Sequence, residues 1–204
     1  MKELKKQKSE VSKDRLSPEI LLSAYTQGYF PMPDPETNEI LWYRPEPRAI
    51  FELSNFHVSK SLKKVISKNN FELRFSSDFE GVMRACADRE DTWISEEFIL
   101  AYNRMHSLGF AHSVEVYQDG TLVGGTYGIC IRKAFFAESM FHKADNMSKV
   151  ALWALTERLK EKNFTLLECQ FMTPHLKSLG AEEISDDKYQ IKLSDALSGP
   201  ASFL

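Results

Sequence analysis

Two carboxylates and one amide stand in stretches that are otherwise apolar. Glu168 and Gln170 flank Cys169, with Leu166, Leu167 and Phe171 on either side. Glu138 lies inside the run Phe135-Phe136-Ala137-Glu138-Ser139-Met140-Phe141. In a strand, residues two apart share a face, so the spacing predicts that Glu168 and Gln170 point the same way. A carboxylate and an amide are costly to bury without partners. The residues alone leave two readings open for this pair, a solvated face or a site. Glu138 in its apolar strand is either paired inside or functional, and the reading leans to functional.

Other chemistries find less support. Cys169 as a nucleophile would need His112, His142 or His175 as base. Its side chain is expected to point away from Glu168, and a lone strand cysteine is ordinarily a small buried hydrophobe. The five histidines show neither HxxxH nor HExxH spacing, and Cys86, Cys130 and Cys169 form no CxxC pair. No metal site or disulfide framework is therefore expected. Gly124-Gly125-Thr126-Tyr127-Gly128 fits neither a phosphate-cradling loop nor a dinucleotide fingerprint; glycines in a strand more often mark a bulge or a close backbone approach.

Elements must position these groups. Ser17-Pro18 opens a helix that Gly28 closes. The proline-rich segment 29–48, with Tyr29, Phe30, Trp42 and Tyr43, predicts neither long helix nor central strand. Helices follow over Ser59 to Lys68, Asp78 to Ala87, and from Ser95 to Gly109. His112 to Tyr117 and Thr121 to Cys130 read as strands joined by the turn signal Asp119-Gly120, with a third over Ala134 to Phe141. A helix from Asp145 or Asn146 runs to Lys162, with Leu152, Leu155 and Leu159 on one stripe. Phe164 to Gln170 reads as a strand, Pro174 to Leu179 as a short helix, and Lys188 to Leu193 as a last strand. The class is α+β.

Composition excludes more than it identifies. The chain has 204 residues, 43% hydrophobic, with a formal net charge of −3. It is not basic enough to announce nucleic acid as a partner, so RNA contact must use local patches such as Lys60, Lys63, Lys64, Arg132 and Lys133. No apolar run is long enough for a membrane helix, and the Lys-rich start lacks the apolar core of a secretory signal. A cytoplasmic protein with reduced thiols is expected.

Taken in order, the strings AYTQGYFPM (24–32), ILWYRPEPRAIF (40–51), TWI (92–94), AHSVEVY (111–117), LVGGTYG (122–128), AFFAESMF (134–141), NMSKVAL (146–152), LLECQ (166–170) and HLKSLGAEEI (175–184) resemble the leucyl/phenylalanyl-tRNA–protein transferase family. The polar, charged composition of residues 1–15 predicts a flexible Lys-rich start, and the resemblance implies a small N-terminal α/β annex (16–58) followed by an acetyltransferase-like catalytic domain (59–204). It implies a monomer with no cofactor and no metal. The donor would be aminoacyl-tRNA carrying Leu, Phe or Met. The acceptor would be a protein with N-terminal Lys or Arg, marked in this way for N-end-rule degradation.

Carried over by position, Gln170 would hydrogen-bond the attacking amine, Glu168 would orient Gln170, and Glu138 would bind the acceptor's positive end. Trp93 would stack on the terminal adenine. Met140, Leu152, Leu155, Leu159, Leu167 and Thr126 would line the donor pocket. The chain departs from the family in Glu168 for Asp, Ala137 for Gly, Thr126 for Met, Leu155 for Phe, and Met32 for the Trp of the usual FPW string. Two alternatives stand beside this reading: a member with altered donor or acceptor choice, and a non-catalytic peptide- or RNA-binding module. An acyl-CoA acetyltransferase would want a Gly-rich loop before a helix, and His142 to Ser148 contains no glycine.

Overall fold

A computed structural model describes residues 15–204; apart from Arg15, the flexible start expected for residues 1–15 lies outside it. Helix α1 (Pro18–Tyr25) begins where expected, the Ser17 hydroxyl accepting from Ile20 N–H at 3.4 Å. Gly28 follows with φ +80°, and a Cβ there would meet the Tyr189 ring at 2.9 Å, so glycine is required by both backbone and space.

The proline-rich segment holds a two-stranded antiparallel pair, β1 (Phe30–Pro33) and β2 (Ile40–Tyr43). Among the described residues it pairs with no other strand, which is where prolines are tolerated. At the end of that segment, β3 (Arg48–Phe51) enters the main sheet, all four residues buried. Next come α2 (Lys60–Lys68), β4 (Glu72–Phe75), α3 (Phe79–Ala87) and α4 (Glu96–Ser107). The antiparallel run β5 (Ala111–Gln118), β6 (Thr121–Ile131) and β7 (Ala134–His142) has the expected Asp119-Gly120 turn, both residues at positive φ. Helix α5 (Met147–Glu161) carries the chain to β8 (Leu166–Glu168), which lies parallel to β7. Then follow α6 (Pro174–Ser178), β9 (Glu182–Ile184) and α7 (Asp186–Ser198). The seven-stranded sheet has the order β4-β5-β6-β7-β8-β3-β9. The α+β class holds.

Two sequence expectations are corrected. Lys188 to Leu193 is not a strand but part of α7, whose buried residues Tyr189, Leu193 and Ala196 recur at helical spacing. The alternation of Tyr189, Ile191 and Leu193 is coincidental, because Ile191 is exposed. The strand over Phe164 to Gln170 is only Leu166–Glu168, because Gln170 takes φ +63° and leaves the extended conformation. Glu168 and Gln170 therefore do not share a face by strand alternation.

Apolar side chains fill both sides of the sheet. Phe136 packs with Tyr25, Phe98 and Tyr102 from α1 and α4. Phe135, one residue earlier and so on the other face, packs with Leu152, Leu155 and Leu159 of α5. Between β6 and β7 the register slips: Tyr127 faces Ser139, while Gly128 faces Ala137. Glu138 is the extra residue of a β-bulge, a device that re-aims a side chain. Gly128 makes room for it, since a Cβ there would lie 2.2 Å from the Phe136 carbonyl oxygen.

Candidate active site

The bulge turns Glu138 into a cavity of about 330 Å³. Its walls are β7 from Ala137 to Met140, the segment after β8 (Cys169, Gln170, Phe171, Thr173), His175 and Leu176 of α6, Leu152 of α5 and Thr126 of β6. Met32 of β1, with Arg89 and Trp93 from the loop between α3 and α4, completes it.

Glu138 is buried, and its Oε1 accepts from the Tyr25 hydroxyl at 2.6 Å; the Tyr25 and Tyr102 hydroxyl oxygens lie 2.5 Å apart. Oε2 has no hydrogen-bond partner among the described residues. Burial, reinforced by nearby Glu168, pushes the Glu138 pKa up to about 8, against the pull of Tyr25, Gln170 and Tyr102.

Glu168 is more deeply buried, and its Oε1 is paired. Its Oε1 accepts from Arg48 Nη1 at 3.0 Å and from the Gln170 backbone N–H at 2.8 Å. Burial raises its pKa, while Arg48 and then that N–H oppose the rise. Arg48 is 0% exposed; its Nη2 donates to the Gly28 carbonyl at 2.5 Å and its guanidinium lies 4.2 Å from the Tyr189 ring centre. One arginine thus ties the end of α1, the end of β8 and α7 together. Sequence reasoning passed over Arg48; the signal was a cation opening the apolar strand Arg48-Ala49-Ile50-Phe51.

Gln170 is held in the left-handed region, where non-glycine residues are uncommon and often functional. Its backbone is clamped, N–H to Glu168 and carbonyl to Ala49 N–H at 3.1 Å. Glu168 therefore grips Gln170 through the main chain. The side-chain Nε2 is buried without a partner in the cavity.

Of the expected pocket residues, Trp93, Thr126, Met140 and Leu152 line the cavity. Trp93 packs edge-on against Phe98, ring centres 5.3 Å apart. The Thr126 hydroxyl is committed to the Ser139 carbonyl at 2.9 Å. Leu155, Leu159 and Leu167 are not on its wall but in the core behind it, fully buried. Cys169 is on the wall, and burial raises its thiol pKa well above the ordinary range, so no thiolate forms near neutral pH. Sequence reasoning also did not assign Tyr25, Tyr102 or His175. Among the described residues, no group of three or more His, Cys, Asp or Glu stands close enough to hold a metal, and no helix is long and apolar enough to cross a membrane.

Comparison with known proteins places this chain among the transferases. The family profile described as leucyl/phenylalanyl-tRNA protein transferase matches residues 50–194, and the profile for the N-terminal domain of the same family matches residues 14–46. The leucyl/phenylalanyl-tRNA–protein transferase of Gloeobacter violaceus is 50% identical over 188 residues, covering 92% of this chain and 97% of the relative. That of Herpetosiphon aurantiacus is 50% identical over 190 residues, covering 93% and 98%. The crystal structure of the PaiA N-acetyltransferase of Thermoplasma acidophilum in complex with coenzyme A has a TM-score of 0.35 and 16% identity, covering 46% of this chain and 74% of that one. The chain belongs to the leucyl/phenylalanyl-tRNA–protein transferase family, and its class of enzyme is aminoacyltransferase.

Proposed function

We propose that this protein moves Leu, Phe or Met from aminoacyl-tRNA to the free N-terminal amine of proteins that begin with Lys or Arg, marking them for N-end-rule degradation in the cytoplasm. The observation that carries this reading is that Glu138 Oε2 and Gln170 Nε2 meet on the wall of one largely apolar cavity, near enough for the amide to help hold the Glu138 pKa down, yet neither makes a hydrogen bond of normal length among the described residues. A buried acceptor and a buried donor without protein partners are expected where a substrate supplies the missing bonds.

The reaction is aminolysis. The amine nitrogen forms a bond to the ester carbonyl carbon, the bond to the ribose oxygen breaks, and a proton passes from nitrogen to that oxygen. Glu138 is the acid among the residues lining the cavity; as carboxylate it receives the acceptor's ammonium group and takes one proton from it, which later passes to solvent, leaving the neutral amine that attacks. A cation in contact lowers its raised pKa and favours the carboxylate. Glu168 is paired with Arg48, so it positions Gln170 rather than meeting the acceptor. The Gln170 amide accepts from the attacking amine through Oε1 and donates through Nε2 to the carbonyl oxygen as charge develops there. Trp93 stacks on the terminal adenine, and Met140, Leu152 and Leu176 pack the donor side chain. An apolar wall separates large from small side chains by only ~1–3 kcal/mol per methylene, so several donors are accepted.

Transfer of labelled leucine or phenylalanine from charged tRNA to a peptide with N-terminal Arg tests the reading, with the N-acetylated peptide as control. Transfer is expected only to the free amine, and Gln170→Ala is expected to slow it about a hundredfold. Intact charged tRNA that yields no product with Leu, Phe or Met sinks the assignment.

A further inference from the structure

We infer that His175 is a further catalytic residue of this site, its Nε2 carrying the proton from the attacking nitrogen to the departing ribose oxygen. The inference rests on the reaction proposed above. Among the described residues, three buried polar atoms on the cavity wall make no hydrogen bond of normal length: Glu138 Oε2, Gln170 Nε2 and His175 Nε2. The first two are accounted for by the acceptor amine and the carbonyl oxygen. The third has no role in that scheme, and a buried nitrogen left without a protein partner points to a ligand that provides one.

The backbone that carries His175 is fixed on both sides. The Thr173 hydroxyl caps α6, accepting from Leu176 N–H at 3.2 Å, and the Ser178 hydroxyl donates to the His175 carbonyl at 2.7 Å. The ring shares its cavity with Glu138 and Arg89, and Lys149 of α5 and His142 of β7 stand near it. Burial first, then Lys149 and His142, lowers its pKa, so the neutral imidazole is the form present at working pH. A neutral ring is a proton acceptor, which this reaction needs. When the N–C bond forms, the nitrogen of the tetrahedral adduct becomes positively charged. Nε2 takes that proton, and the imidazolium returns it to the ribose oxygen as the C–O bond breaks. The ring ends as it began, and no other reactant is consumed.

The test is single-turnover transfer of phenylalanine from charged tRNA to an Arg-terminated peptide by the native enzyme, His175→Ala and His175→Gln. Thermal melts of all three establish that they are folded. His175→Ala is expected to slow the chemical step roughly a hundredfold, with the donor's half-saturation concentration changed less than about threefold. His175→Gln is expected to be equally slow, because an amide keeps a hydrogen bond but carries no proton. A folded His175→Ala within about threefold of the native rate overturns the inference. So does a His175→Gln variant with the native rate, which would assign the ring a packing or hydrogen-bonding role. Both outcomes leave an active native enzyme, whereas a native enzyme that transfers nothing overturns the reaction itself.

Discussion

Glu138 is kept at a cost in stability. Its folded pKa of about 8 lies far above the ~4.3 of an exposed glutamate, so the folded state holds a proton that the unfolded chain has released between those values. Its contribution to stability is complete below about pH 4 and is lost as pH rises through about 8. Glu138→Gln removes this dependence while keeping a group that can accept from Tyr25. We expect the variant to match the native melting temperature near pH 4, and to exceed it by at least about 3 °C near pH 8. Calorimetry across that range reads the difference, and parallel curves would show that the carboxyl is not buried as described. Transfer by the same variant should fall about a hundredfold, because a neutral amide does not draw in an ammonium group. Arg48 behaves in the opposite sense. Arg48→Met leaves Glu168 buried without its counter-charge and should cost about 3–5 kcal/mol in urea unfolding.

The residue types of this site were legible because polar groups in apolar runs are conspicuous. Their geometry was not. Alternation put Glu168 and Gln170 on one face, whereas the left-handed turn at Gln170 and the bulge at Glu138 are what aim the two side chains. Tyr25 reaches the site from a distant position with nothing local to mark it, His175 was weighed only as a base for Cys169, and the cation that opens the apolar strand at Arg48 says nothing of its distant partner Glu168.

At the scale of elements, length decided what could be read. The strands β5, β6 and β7 run for 8, 11 and 9 residues, enough for alternation and a turn signal to show. The strands β3, β4 and β9 have 4, 4 and 3 residues, too few for a period, and they owe their conformation to the strands beside them. Helix α7 was misread because Tyr189-Gln190-Ile191-Lys192-Leu193 alternates over too short a window. Two elements give testable consequences. Gly128→Ala drives a methyl group against the Phe136 carbonyl and the Phe135 ring, so it should destabilise the fold by about 2–4 kcal/mol and lower transfer more than a core substitution of equal cost. On α5, Leu155→Ala should cost about 2–5 kcal/mol while leaving donor preference as it was, whereas Leu152→Ala, on the cavity wall, should also shift preference toward bulkier donors. Competition between Leu-, Phe- and Trp-charged tRNA separates the two.

At the scale of the whole molecule, a net charge of −3 gives no general attraction for tRNA. Helix α2 shows the local alternative, with Lys60, Lys63 and Lys64 exposed and Leu62 turned into the core. Replacing the three lysines by Glu should raise the donor KM about tenfold or more at moderate salt and flatten its dependence on salt. Unchanged salt dependence would move the tRNA contact elsewhere.

The sheet also dictates when the enzyme becomes active during its synthesis. The meander β5-β6-β7 pairs neighbours in sequence, so its loops are short and can close early. Strand β3 is different: its two partners, β8 and β9, lie more than a hundred residues further along. Arg48 cannot meet Glu168, nor can Gln170 be clamped to Ala49, until residues 166–170 have left the ribosome and returned to the start of the chain. The site therefore waits for chain beyond residue 166, and a nascent chain halted before it would lack both the Arg48–Glu168 pair and the clamp on Gln170.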